Sequence, residues 1–444
     1  MPTTFDLIIR RASLDGALPE GTPRAHAAPD GGDAVAVDIG IRGGCFAAIE
    51  TRLDASAAEE IDGAGCLLAP PFVDAHFHMD STLSYGLPRV NVSGTLLEGI
   101  ALWGELKPDL TQEALVARAL TYCDWAVARG VLAIRSHVDI SDPRLLAVEA
   151  LLDVRRRVAP YLDLQLVAFP QDGVLRSPGA FENLQKAVAM GVDVVGGIPH
   201  GERTMADGAA SVRLLCEFAA ERGVRVDMHC DESDDPLSRH IETLAAETQR
   251  LGMQGRVTGS HLTSMHSMDN YYVSKLIPLI AESGVAAIAN PLINITLQGR
   301  ADAYPKRRGM TRVPELLAAG VAVAFGQDCV MDPWYSLGSG DMLEVAHMGL
   351  HVAQMTGVEA MRAAFDAVTT TPARILGLNS RGIAVGAPAD CVLLDARDRI
   401  EAIRLRAARL AVIRRGRILS RMPRAVAALS LPGRPVEVDF RLPR

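Results

Sequence analysis

The sequence predicts an α/β protein: a (β/α)8 barrel accompanied by a small β domain. Three observations predict it. Eight apolar runs have strand character, helical patterns lie between them, and both chain ends have a different, β-rich texture. From the second run to the seventh the starts are roughly 30 residues apart, which is the repeat of a strand–helix–strand unit.

The eight runs cover residues 66–75, 131–137, 162–169, 192–198, 224–229, 256–261, 285–290 and 321–328. Each is too apolar to face water, so a closed barrel accounts for them better than an open sheet. A doubly wound sheet would carry a glycine-rich phosphate turn after its first strand, and none is there. Helical patterns fall at 112–129, 144–158, 181–190, 209–222 and 235–251. The first 69 residues read as short strands at 6–9, 34–41 and 45–50, with a Pro/Gly-rich loop at 16–33. Short apolar runs at 390–394 and 411–413 resemble them. The simplest organisation is one composite β domain from 1–69 and 376–444, beside a catalytic barrel at 70–375.

Composition narrows the function. The 444 residues are 49% hydrophobic and 22% charged, enough for a large core. A net charge of -8, spread along the chain, argues against a nucleic-acid surface, which needs a basic stripe. The seven cysteines are scattered, none in CxxC spacing, so neither a disulfide framework nor a zinc ribbon is expected. The N-terminal run is too short and charged for a signal peptide, and no apolar stretch approaches the ~18 residues of a membrane span. A cytoplasmic protein without membrane contact is the expectation.

The strand ends carry the chemistry. The first run ends in Asp74-Ala75-His76-Phe77-His78 and the second in Ser136-His137-Val138-Asp139. The third ends in Pro170-Gln171, the fifth in His229-Cys230-Asp231-Glu232, the sixth in Ser260-His261 and the eighth in Gln327-Asp328. In a barrel these ends share one rim, where active sites are built. His76 and His78 are two apart, so on a strand they face the same side. Such a pair alone is equally a hydrogen-bonded turn. Together with His229, His261 and Asp328 at other strand ends, it points to a metal centre. A nitrogen-rich donor set suits Zn²⁺ or Fe²⁺ rather than Mg²⁺ or Ca²⁺. Lysine occurs only at 107, 186, 275 and 306, so the fourth run has none to bridge two metals, and one ion is expected.

With these residues in place, the chain resembles the amidohydrolase superfamily, and within it the cytosine deaminase branch. The resemblance rests on Pro-Pro-Phe-Val-Asp-Ala-His-Phe-His at 70–78, His-Cys-Asp-Glu at 229–232, Ser-His at 260–261 and Gln-Asp at 327–328. Stretches at 93–99, 167–171, 290–294, 304–309 and 332–335 support it. It implies that His76, His78, His229 and Asp328 hold one divalent ion. It implies Glu232 as the proton shuttle to the ring nitrogen and His261 as the group that activates water and stabilises charge. Gln171 would bind the amide edge of a free pyrimidine base, and Trp334 would wall the pocket. It also implies a homo-oligomer.

One departure stands out. That branch usually has a second aspartate after the metal-binding one, whereas this chain reads Asp328-Cys329. A neutral cysteine removes a hydrated charge from the C5 edge of the ring. The expected substrate is therefore 5-methylcytosine, giving thymine and ammonia, with cytosine as a secondary substrate. The alternatives are a silent Cys329 with no 5-methyl preference, another amino-substituted ring such as isoguanine or an s-triazine, and an inactive binding protein on this scaffold. Glu232 could also be no more than a helix N-terminal carboxylate. His137 and His200 read as structural or supporting groups, Asp74 and Asp80 as orienting ones, and 306–308 as a solvated loop or subunit contact.

Overall fold

The structure is a computed structural model and describes residues 5–15, 35–378 and 382–441. The loop expected at 16–33 lies outside them. Five strands open the chain: β1 Phe5–Leu14, β2 Val35–Arg42, β3 Cys45–Glu50, β4 Ala57–Asp62 and β5 Leu67–Ala69. Eight parallel strands follow: β6 Phe72–Phe77, β7 Val131–Asp139, β8 Asp163–Phe169, β9 Val194–Gly197, β10 Arg225–Cys230, β11 Val257–His261, β12 Ala286–Ala289 and β13 Val323–Phe325. Then come β14 Cys391–Leu394, β15 Arg409–Arg414 and β16 Arg417–Arg421.

The first and last groups form one sheet, ordered β16-β15-β14-β5-β1-β2-β3, with β4 also on β1. Leu68 sits opposite Leu393, so both chain ends build it. Its core includes Ile9, Val37, Ile39, Phe46 and Leu393. The middle group runs in order from β6 to β13. A bridge between Phe77 and Asp328 closes it into a barrel. This is the predicted (β/α)8 barrel with a separate β domain.

The first predicted run is divided. Residues 66–75 do not form one strand: β5 joins the outer sheet and β6 the barrel. Pro70 and Pro71 separate them, because neither has an N–H to donate to a ladder. The fourth and eighth strands, β9 and β13, are shorter than their apolar runs.

The helices are α1 Leu96–Leu106, α2 Gln112–Ala128, α3 Leu146–Val158, α4 Ala180–Ala189, α5 Met205–Arg222, α6 His240–Arg250, α7 Asn270–Ser283, α8 Pro291–Leu297, α9 Val313–Ala318, α10 Met342–Val352, α11 Val358–Asp366, α12 Thr370–Leu376 and α13 Arg399–Leu405. Caps explain where the boundaries differ from expectation. Helix α5 starts at Met205, earlier than the expected 209, because the Thr204 hydroxyl accepts the Asp207 N–H. Helix α6 starts at His240, later than the expected 235. Its first N–H groups, on His240 and Ile241, donate to the Asp231 carboxylate at 3.0 and 2.8 Å. Among the described residues no helix is long and apolar enough to cross a membrane.

Inside the barrel, Val73, Ala75, Ala286, Ile288 and Ala324 pack against Ile375 and Leu376 of α12. Above this plug lies a buried ion pair, Arg135 to Asp227 at 2.8 Å, with Gln165 and Thr258 also accepting from the guanidinium. Removing one partner of such a pair costs about 3–5 kcal/mol, so this layer is a rigid floor for the site above it.

Candidate active site and metal centre

The strand that opens the barrel and the residue that closes it meet through the candidate ligands. Asp328 donates its N–H to the His76 carbonyl at 2.8 Å, and His78 donates to the Asp328 carbonyl at 2.9 Å. Asp74 tightens this seam: its Oδ1 accepts the N–H groups of Gln327 and His76 at 3.0 and 3.3 Å. Asp231, His261 and Asp328 all have positive φ, at 53°, 72° and 68°. A non-glycine residue there costs roughly 1–2 kcal/mol, a strain that clusters at functional strand ends.

Four expected ligands converge. Asp328 Oδ1 lies 3.6 Å from His76 Nε2 and 3.4 Å from His78 Nε2. His78 Nε2 is 3.0 Å from His229 Nε2. The His229 ring stacks on Phe169, with centroids 4.0 Å apart, which fixes its plane. Burial pushes His78 down to about 4 and also lowers His229, so both imidazoles are neutral and offer lone pairs. Burial alone would raise Asp328, but the surrounding histidines hold its carboxyl well below the usual range. Both nitrogens of His76 and Nδ1 of His229 are buried without a hydrogen-bond partner. Unpaired polar atoms are costly in a dry interior, and a divalent cation among three nitrogens and one carboxylate oxygen relieves that cost. The donor set fits Zn²⁺ or Fe²⁺.

The geometry also groups His76 and His229 with His261, and His76 with His137 and Asp227. The last group is a poor cation site, because Arg135 already neutralises Asp227. His137 packs 4.2 Å from the His76 ring and 4.5 Å from the His229 ring, a supporting position beneath the ligands.

His261 has an assigned direction. Asn294 accepts the Asn290 N–H with Oδ1, which turns its Nδ2 toward His261 Nδ1 at 2.9 Å. His261 therefore accepts at Nδ1 and carries its proton on Nε2, 3.8 Å from Asp328 Oδ2. Glu232 Oε1 lies 3.4 Å from the same ring, with its side chain 9% exposed. Burial, and then the Asp328 charge, raise the Glu232 carboxyl well above its ordinary value, which favours its protonated form. The Asp231 carboxylate accepts the Ser238 hydroxyl as well as the α6 N–H groups, and so folds back the loop that presents Glu232.

A cavity of about 270 Å³ opens above these groups. Gln171, Cys329 and Trp334 line it together with His78, Glu232 and Asp328. His200 also lines it, whereas His76 lies beneath. Burial holds the Cys329 thiol far above its ordinary pKa, so it stays neutral and is no nucleophile. Cys329 packs in an apolar cluster with Ile293 and Leu297, against Leu96, Trp334 and Tyr335. A larger hollow of about 620 Å³ lies by β15 and the C-terminal tail. Of its five lining arginines, those at 129, 409, 424 and 441 are ion-paired, and among the described residues no metal-ligand cluster lies there.

Sequence reasoning missed several supporting residues. Asn290 and Asn294 steer His261; they stand in the 290–294 stretch that carried part of the resemblance, but nothing in their spacing gave a role. Glu202 was invisible. Its carboxylate accepts the N–H groups of Val174, Leu175 and Arg176 at 2.7, 3.0 and 2.8 Å, pinning the loop that follows Gln171. Lys306, Arg307 and Arg308 all donate within the chain, to Gly299, Asp302 and Val352 among others.

Residues 59–426 match the profile of the Amidohydrolase family. The chain is 30% identical over 426 residues to the N-isopropylammelide isopropyl amidohydrolase of Pseudomonas sp. (strain ADP), covering 94% of this chain and 98% of that one. It is 31% identical over 357 residues to the pterin deaminase of Rhizobium rhizogenes, covering 79% and 80%. The crystal structure of 5-methylcytosine deaminase from Klebsiella pneumoniae, liganded with 5-fluorocytosine, superposes with a TM-score of 0.88 at 41% identity, covering 96% of this chain and all of that one. The chain belongs to the amidohydrolase family, on its cytosine deaminase branch.

Proposed function

We propose that this metal-dependent hydrolytic deaminase acts on free aminopyrimidine bases and prefers 5-methylcytosine, giving thymine and ammonia, with cytosine to uracil as a lesser activity. Cys329 carries the reading of the substrate. Next to the ligand Asp328, where a second carboxylate would be hydrated, the chain places a neutral thiol inside the Ile293–Leu297–Trp334 cluster. An apolar surface there suits a ring methyl.

His76, His78, His229 and Asp328 would hold one zinc or iron ion, which when bound would supply the acidity that lowers a water's pKa toward about 7. The protein groups do the rest. Asp328, held anionic, accepts the proton of the attacking water. The Nε2–H of His261 faces the same carboxylate and stabilises negative charge on the oxygen that reaches C4. Glu232, held protonated, donates to the ring nitrogen next to C4 and makes that carbon electrophilic. Gln171 holds the amide edge, and Trp334 closes the ring site. The C4–O bond forms and the C4–N bond breaks; the proton taken by Asp328 leaves with the amine as ammonia, the Glu232 proton stays on the ring nitrogen, and the hydroxyl proton left on the C4 oxygen returns to Glu232 as the carbonyl forms.

The test is ammonia release and product identity with cytosine, 5-methylcytosine and isoguanine, using metal-loaded protein. Thymine from 5-methylcytosine is expected. Turnover of none of them overturns the deaminase reading, and isoguanine alone reassigns the ring.

A further inference from the structure

We propose that Gly99 is a specificity-determining position: its missing side chain lets the Trp334 indole stand back from the ring site and leaves room for a substituent on the pyrimidine. The inference rests on the pyrimidine reading of the site.

Gly99 is buried in α1. A Cβ there would lie 2.5 Å from Trp334 Cδ1 and 3.0 Å from its Cγ and Nε1. Carbon atoms do not approach so closely, so any side chain at 99 moves the indole. Trp334 has one direction to go. Asp332 Oδ1 holds the N–H groups of Trp334 and Tyr335 at 3.0 and 2.9 Å. Trp103 lies 5.9 Å away on another side, its own Nε1 tied to Asp139 Oδ2 at 2.8 Å. The remaining side is the cavity, where the indole approaches His78 at 6.3 Å and borders Cys329. Helix formation does not explain a glycine at this position, since alanine is the better helix former. Gly104 in the same helix faces open space, with nothing within 4 Å of a Cβ. Of these two glycines, only Gly99 supports a wall of the ring site.

The experiment compares kcat/KM for 5-methylcytosine and cytosine in the metal-loaded wild type, Gly99→Ala and Gly104→Ala. Gly99→Ala should lower the preference for 5-methylcytosine by about tenfold or more, with cytosine affected less. Gly104→Ala should leave the ratio alone, which separates crowding from any general change in α1. A Gly99→Ala ratio within about twofold of wild type, or an equal shift from Gly104→Ala, overturns the proposal. If Gly99→Ala does not fold, Trp334→Phe carries the test. The smaller ring should raise turnover of 5-ethylcytosine relative to cytosine, and an unchanged ratio overturns the proposal. Wild-type inactivity on both bases refutes the functional reading instead. A crystal structure of Gly99→Ala then decides: a displaced indole supports the role of Gly99, and an unmoved one contradicts it.

Discussion

Replacing Cys329 with aspartate puts a charge beside three acidic groups and an apolar cluster. The side chain is 3% exposed, and Asp328, Asp332 and Glu232 all bear on it electrostatically. Ile293 and Leu297 pack beside it. A new carboxylate therefore keeps water in the pocket. A ring methyl then loses its apolar contact, about 0.8 kcal/mol by transfer. It also strips hydration from the carboxylate, which costs more than the about 1–3 kcal/mol of an unpaired neutral polar group. Together these lower the 5-methylcytosine-to-cytosine ratio of kcat/KM by at least about 20-fold at 1.36 kcal/mol per decade. Steady-state ammonia release with each base measures the ratio, and metal analysis confirms that the ion is retained. Cys329→Ala, neutral and smaller, should keep the ratio within about threefold of wild type. An aspartate variant with its metal intact and its ratio unchanged would refute the argument from charge.

Metal analysis should find about one ion per chain, and His76→Ala or His229→Ala should lose it; a value near two would contradict the single centre. Chelation should destabilise the protein, and returning the ion at about 100 times its Kd should restore roughly 2.7 kcal/mol, read by thermal denaturation. Glu232→Gln should keep the metal and lower kcat by about 10²–10⁴, because an amide cannot supply the proton; activity within about tenfold of wild type would remove Glu232 from that role. Asp38 gives a pH signature in the β domain. Burial would raise its pKa, but the N–H groups of Leu53 and Arg11 and the Arg10 guanidinium bring it below 3.8. Its contribution is therefore complete above the unfolded value near 3.9 and disappears as pH falls through the lower folded value. Urea denaturation should show wild type losing more stability than Asp38→Asn between about pH 5 and 3, and equal losses would contradict this.

The barrel was legible because strands buried on both faces must be apolar throughout, and helices between them set a steady spacing. The convergence of the proposed metal ligands was legible for a related reason: polar residues at the ends of such strands have little to do but meet at the rim. The first run misled, since apolarity alone does not reveal that Pro70 and Pro71 send its two halves to different sheets. Supporting residues stayed hidden because their roles depend on tertiary placement. Glu202 is an ordinary acidic residue until the loop carrying Val174 folds over it. Asn294 matters only because Asn290 fixes its amide. Gly99 looks like a weak point in a helix until Trp334, far along the chain, lies against it.

The most direct test of the central claim is kcat/KM for 5-methylcytosine and cytosine, measured side by side on the zinc- or iron-loaded protein by ammonia release, with thymine and uracil identified as products. The account predicts that 5-methylcytosine is the better substrate. Cytosine preferred by about tenfold would contradict the role of Cys329, and no ammonia from either base would contradict the account as a whole.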